Sequence, residues 1–161
     1  MRRLGIVAAA CALAIAPAAA QDAPVDRSND LAWMNAQQAY LASLQPQDGW
    51  YAMDGGLRWR YLDYKGSDRK PRINHEVTVH YEGRFIDGEV FDSSYERGEP
   101  ATFPLHRLIE GWQMAIPQMG VGDTIEIAVP SNLGYGPRGK GPIPGGATLV
   151  FKVELIDFAT Q

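Results

Sequence analysis

Residues 76 to 94, EVTVHYEGRFIDGEVFDSS, constrain the fold more than any other stretch. Val77, Val79 and Tyr81 alternate with Thr78, His80 and Glu82, the period-two signature of a strand with one buried face. Asp87-Gly88 reads as a two-residue type I′ turn, since Gly accepts the positive φ that such a turn requires. Glu89-Val90-Phe91-Asp92 then returns as the second strand. The alternation puts Tyr81 on the apolar face, with Phe91 or Asp92 close to it across the hairpin. A carboxylate beside an apolar face, within reach of a phenol, asks for a function. On the hairpin alone, a capping Asp beside a core Tyr is the better explanation of the pair.

The length fits one domain with extensions. Arg2 and Arg3, the apolar run Leu4 to Ala16, and Ala18-Ala19-Ala20 before Gln21 have the three parts of a cleavable export signal. The uncharged run is slightly short for a membrane span of ~20 residues, so residues 1–20 are expected to be removed and no stable membrane anchor is expected. Cys11 is the only cysteine and would leave with the signal, so neither a disulfide nor thiol chemistry is expected in the mature chain. Loss of Arg2 and Arg3 leaves 13 basic against 19 acidic side chains, a net charge of −6. That balance argues against nucleic acid or an anionic membrane surface as a partner.

Residues 21–48 form a linker followed by a short helix. Ser28 or Asp30 can cap LAWMNAQQAYLASL, with Leu31, Met34 and Leu41 on one stripe with Gln38, and Pro46 as the stop. This helix is expected to pack on its own domain; a dimer contact is the alternative, and a monomer is the expected state. From 49 to 161 the text is strands and turns. Leu57 to Tyr64 alternates as a half-buried strand. Tyr95 to Pro104 reads as a polar connection and RLIEGWQMAI as the one internal helix, with Gly111 suited to a close approach. Thr124 to Val129 and Ala147 to Phe158 are further strands. Between them, residues 131–146 hold six Gly and three Pro in sixteen positions, a long loop of the kind usually kept for function.

Several chemistries fail on their residue patterns. GYGPRGKG at 134–141 approaches a phosphate-binding loop, but Gly141 stands where a Ser or Thr should hold magnesium, and Pro142 blocks the helix that should follow. His75, His80 and His106 have no ligand spacing and read as surface histidines, so neither a metal nor a cofactor is expected. The chain has no G-x-S-x-G nucleophile elbow. What remains is an apolar, aromatic-rich concavity with a few polar groups.

VHYEG (79–83), DGEVFDSS (87–94), LIEGW (108–112), QMGVGD (118–123), GYG (134–136) and ATLVFKVEL (147–155) together resemble the FKBP-type peptidyl-prolyl cis-trans isomerases, in order and in spacing. The match spans roughly residues 57 to 158, and the arm before it resembles the exported bacterial members. The resemblance implies an α+β fold: a half-open antiparallel sheet wrapped around one short helix, with the pocket between them. It implies Trp112 as the pocket floor, Tyr81, Phe91 and Phe151 as aromatic walls, and Leu108 and Ile109 at the rim. The Ile109 N–H and the Tyr135 hydroxyl would donate to substrate carbonyls. Asp92 would bond to Tyr81 near the twisting amide, with Arg97 in support, and Ile143 would overhang the proline.

One departure is Ala101, where the family commonly has an aromatic; it removes part of a wall. A second is the loop before Ile143, about one residue shorter than in many members. The resemblance further implies prolyl isomerisation of exported, proline-containing or unfolded polypeptides, in a periplasm or beyond it. The alternative is a catalytically weak chaperone module that holds such chains.

Overall fold

The structure is a computed structural model that describes residues 24–27 and 29–160. The expected signal segment, Cys11 and the Ser28 cap candidate lie outside the described residues. Seven antiparallel strands form one sheet: β1 (Tyr51–Ala52), β2 (Arg58–Asp63), β3 (His75–Arg84), β4 (Val90–Ser93), β5 (Ala101–Pro104), β6 (Thr124–Val129) and β7 (Leu149–Thr160). Their order is β1-β2-β6-β7-β3-β4, and β5 also pairs with β3. β4 and β5 therefore share one edge of β3, opposite residues 82–84 and 76–79.

Alternation decides which face is buried. Val77, Val79 and Tyr81 of β3, Ile125, Ile127 and Val129 of β6, and Phe151, Val153 and Leu155 of β7 point to one core. The helix α3 (Glu110–Ala115) lies in that core with Trp112 and Ala115 buried. Gly111 lets it sit close, because a Cβ there would stand 2.6 Å from Val129 Cγ1. The sheet's other face is partly covered by α1 (Leu31–Ser43), through a smaller cluster of Trp50, Ala128 and Val150 with Tyr40, Leu41 and Leu44. On that face Glu126 is buried between Arg60 (2.7 Å) and Arg84, so its charge is paired. No helix among the described residues is long and apolar enough to cross a membrane.

Several expectations need correction. The β3–β4 turn is not type I′: no non-Gly residue among the described ones has positive φ, and Gly88 N–H donates to Phe85 O (3.0 Å) while Phe85 N–H donates to Glu89 O (2.8 Å). Ile86, Asp87 and Gly88 thus make a three-residue loop, with only Gly88 left-handed (φ 93°). The segment read as a polar connection holds the one-turn helix α2 (Ser94–Arg97) and strand β5. The internal helix is shorter than RLIEGWQMAI, because Leu108 and Ile109 are extended (ψ 170° and 149°).

The arm helix is capped by Asp30, whose carboxylate accepts from Trp33 N–H at 2.9 Å. Its stripe differs from the one expected. Leu31 and Met34 are exposed, while Gln37 is buried and accepts from Thr148 N–H (2.8 Å), and Trp33 Nε1 donates to Gly145 O (3.1 Å). Polar anchors, rather than an apolar stripe alone, dock it on its own domain. His75 is not a surface residue: only 8 % exposed, it stacks on Phe158 at 5.0 Å and accepts from Arg72 N–H.

Candidate active site

Trp112 centres the site. α3 buries the indole, and Tyr81 (5.3 Å), Phe151 (5.2 Å) and Phe103 (6.5 Å) meet it nearly edge-on. Phe91 stands perpendicular to Phe151 at 5.7 Å. Together these rings bound an open cavity of about 300 Å³, which Asp92, Leu108, Ile109 and Tyr135 also line. Edge-to-face packing holds such rings at fixed angles. Trp112 Nε1 is buried with no acceptor among the described residues.

A bulge brings Phe91 and Asp92 to the same cavity. Gly83 pairs with Asp92 and Arg84 with Val90, so Phe91 is an extra, unpaired residue on β4. In a regular strand, neighbours face opposite sides; the inserted residue cancels that alternation. Gly83 supplies the room, since a Cβ there would lie 2.6 Å from Phe91 Cζ and 2.8 Å from Phe151 Cε1.

Asp92 is held from two sides. Tyr81 donates its hydroxyl proton to Oδ2 (2.5 Å), and Arg97 donates to Oδ1 (2.5 Å) and to the Tyr81 oxygen (3.0 Å). The α2 turn puts Arg97 there: Ser93 caps it, Gly98 ends it at φ 76°, and the buried Ser94 hydroxyl accepts from Tyr81 N–H at 2.7 Å. The hydrogen bond to Asp92 holds the Arg97 guanidinium still more firmly protonated than usual. Burial, then the hydrogen bond to Asp92, raises the Tyr81 phenol above its ordinary pKa.

Two residues whose donors are unpaired among the described residues line the cavity from other elements. The Ile109 N–H precedes the first hydrogen-bonded turn of α3, and no group among the described residues accepts from it. Tyr135 follows the short turn Ser131–Leu133 and is half-buried. Burial, then the nearby charge of Asp92, pushes its phenol above the ordinary value, which keeps it a donor.

Eight residues expected at the site line one cavity: Tyr81, Phe91, Asp92, Leu108, Ile109, Trp112, Tyr135 and Phe151. Arg97 reaches it only through Asp92 and Tyr81. Ile143 is not among the residues that line the cavity. It is 6 % exposed within the core, and its backbone pairs with Lys140 in both directions (2.9 Å each). Phe103, Arg107 and Lys140 line the cavity and were not singled out in the sequence. Phe103 lies two residues beyond Ala101 on β5, so strand alternation from Ala101 points to it.

A model of the family described as FKBP-type peptidyl-prolyl cis-trans isomerase matches residues 67–156. The chain belongs to this family. The peptidyl-prolyl cis-trans isomerase Mip of Coxiella burnetii is 47 % identical over 120 residues, covering 74 % of this chain and 52 % of that protein. The outer membrane protein MIP of Legionella longbeachae is 42 % identical over 119 residues, covering 73 % of this chain and 51 % of its own length. The chain thus spans about half the length of these relatives. The crystal structure of FkpA from Escherichia coli superposes with a TM-score of 0.75 at 34 % identity, covering 81 % of this chain and 62 % of that one. FKBP-type isomerases thus share both the sheet-and-helix frame and much of the sequence that builds it.

Proposed function

We propose that this protein is a peptidyl-prolyl cis-trans isomerase that acts without covalent chemistry. The observation that carries the proposal is the aromatic cage around Trp112, with the fixed Asp92–Tyr81 pair on one side and the two unpaired donors on others. Rotation about an X-Pro bond faces a barrier of ~18–20 kcal/mol from lost amide resonance. The twisted amide is less dipolar than the planar one, so an apolar cage favours it over the ground state. The Ile109 N–H and Tyr135 hydroxyl hold substrate carbonyls while Trp112 and its neighbours hold the proline ring. Asp92, oriented by Tyr81 and Arg97, presents a fixed negative field beside the turning bond. A thousandfold acceleration needs only about 4 kcal/mol of such differential binding.

The substrates of this reading are proline-containing or unfolded polypeptides, and the apolar run that follows Arg2-Arg3 within residues 1–20 supports their being exported ones, in a periplasm or outside it. The division that goes with it is a signal over 1–20, a linker and helix over 21–48, and the isomerase domain over 49–161. A second reading rests on Ala101, which leaves the wall to Phe103 alone on β5: a module that holds such chains with little turnover. Line-shape or exchange NMR on a proline tetrapeptide separates the two. Faster cis/trans exchange on adding wild-type protein is the expected result; binding without acceleration overturns the enzyme reading.

A further inference from the structure

Two cations line the cavity without a carboxylate partner of their own among the described residues. Arg107 ends the turn Leu105–Arg107, just before Leu108 and Ile109, and Lys140 comes from the long loop on another side. Both are exposed, and neither side chain makes an ion pair with any described residue. Lys140 is also well placed rather than adrift: its backbone is laddered to Ile143 across Gly141-Pro142, and its ammonium lies 5.7 Å from the Tyr135 ring. The one acidic group lining the cavity, Asp92, already has Arg97 as its ion-pair partner. Glu110 follows Arg107 by three residues but does not reach it as an ion pair. The mouth therefore carries two uncompensated positive charges on a chain whose net charge is −4.

We infer that Arg107 and Lys140 select acidic substrates: X-Pro segments with a Glu or Asp within a residue or two of the proline. The inference rests on the isomerase reading and names its substrate class. An aromatic cage alone has no reason to prefer one charge. Two cations flanking it attract a carboxylate on an incoming chain and repel a lysine, and both effects are screened by salt.

The test uses the full chain and three otherwise identical peptides bearing Glu, Gln or Lys on both sides of an Ala-Pro unit. Exchange NMR gives kcat/KM, and chemical-shift titration gives Kd. The expected order is Glu over Gln over Lys, with a Glu-to-Lys ratio of roughly tenfold at ~0.01 M salt, closing toward unity at ~1 M, where the Debye length is ~3 Å. The double variant Arg107→Glu with Lys140→Glu should reverse the order in both readouts. Both side chains are exposed, and thermal melting checks that the variant is folded; the single variants Arg107→Ala and Lys140→Ala should each give part of the loss. Equal values across the three peptides, or a Glu preference that survives the double variant, would overturn the inference. If no peptide is turned over, the isomerase reading fails, and the order of the Kd values still decides the charge preference.

Discussion

Replacing Gly83 by Ala should damage the fold and the site together, through one methyl group. The new Cβ would stand 2.6 Å from Phe91 Cζ, and 2.8 Å from both Phe91 Cε2 and Phe151 Cε1. Carbon atoms pack well at ~3.5–4.0 Å, so each ring must retreat by about 1 Å. Phe151 has little room to do so, because Trp112 stands edge-on behind it at 5.2 Å. Overpacking of this kind typically costs about 1–3 kcal/mol, or a fall of roughly 4–12 °C in Tm for a domain this size. The displaced rings are two walls of the cavity, and a ~1 Å misplacement can cost up to ~100-fold in rate, so a loss of about tenfold or more in kcat/KM is expected. Thermal unfolding by circular dichroism and peptide exchange by NMR read the two losses. Adding Phe91→Leu, which removes the nearest ring atoms, should restore part of the stability and none of the activity. A single Ala variant with wild-type melting and wild-type turnover would refute the claim that Gly83 is there to admit these two rings.

Removing the arm's polar anchor should act on stability alone. Gln37→Ala leaves the buried Thr148 N–H without its acceptor, a loss of about 1–3 kcal/mol by denaturant titration, with peptide turnover retained. Tyr135→Phe keeps the wall but removes a donor, so kcat/KM should fall about tenfold, or ~1–2 kcal/mol, with little change in Tm. The alkaline profile follows from the same phenol. Burial, with the nearby Asp92 charge, raises Tyr135 above its ordinary 10.0, so the donor survives to at least that pH and kcat/KM should be flat from about pH 7 to 10. Above it the unfolded chain's tyrosines ionise before the folded chain's, so the folded state holds more protons. Stability therefore falls as pH rises further, and a pH titration of Tm checks the sign.

Patterns of period two survived folding because they describe one strand at a time. β3, β6 and β7 could be seen in the sequence, and so could Asp30 as one of two candidate caps, since a cap depends on residues three apart. Features set by a partner element could not. The bulge at Phe91 exists because Gly83 and Arg84 choose Asp92 and Val90 as partners, and nothing in VFDS marks the extra residue. β5 is ATFP among polar turn residues, and only its ladder to β3 makes it a strand. Leu108 and Ile109 continue the helical pattern of α3 but turn extended. The arm's buried face was hidden because Trp33 and Gln37 dock through hydrogen bonds that a hydrophobic stripe does not register. At the site, motif resemblance reached the rings and Asp92. It missed Arg107 and Lys140, because charged loop residues carry no local pattern to distinguish a cavity rim from ordinary surface.

Catalysis by differential binding and simple capture part ways at Asp92. Asp92→Asn keeps the side chain's shape and Tyr81 as its neighbour, and removes the negative charge that Arg97 and Tyr81 hold in place. The decisive measurement is the exchange rate and the Kd of one proline tetrapeptide, taken by NMR for wild type and variant under the same conditions. Stabilisation of the twisted amide requires the rate to fall by about tenfold or more while Kd changes by less than about threefold. A variant whose rate and affinity fall in step, or whose rate does not fall at all, would contradict it.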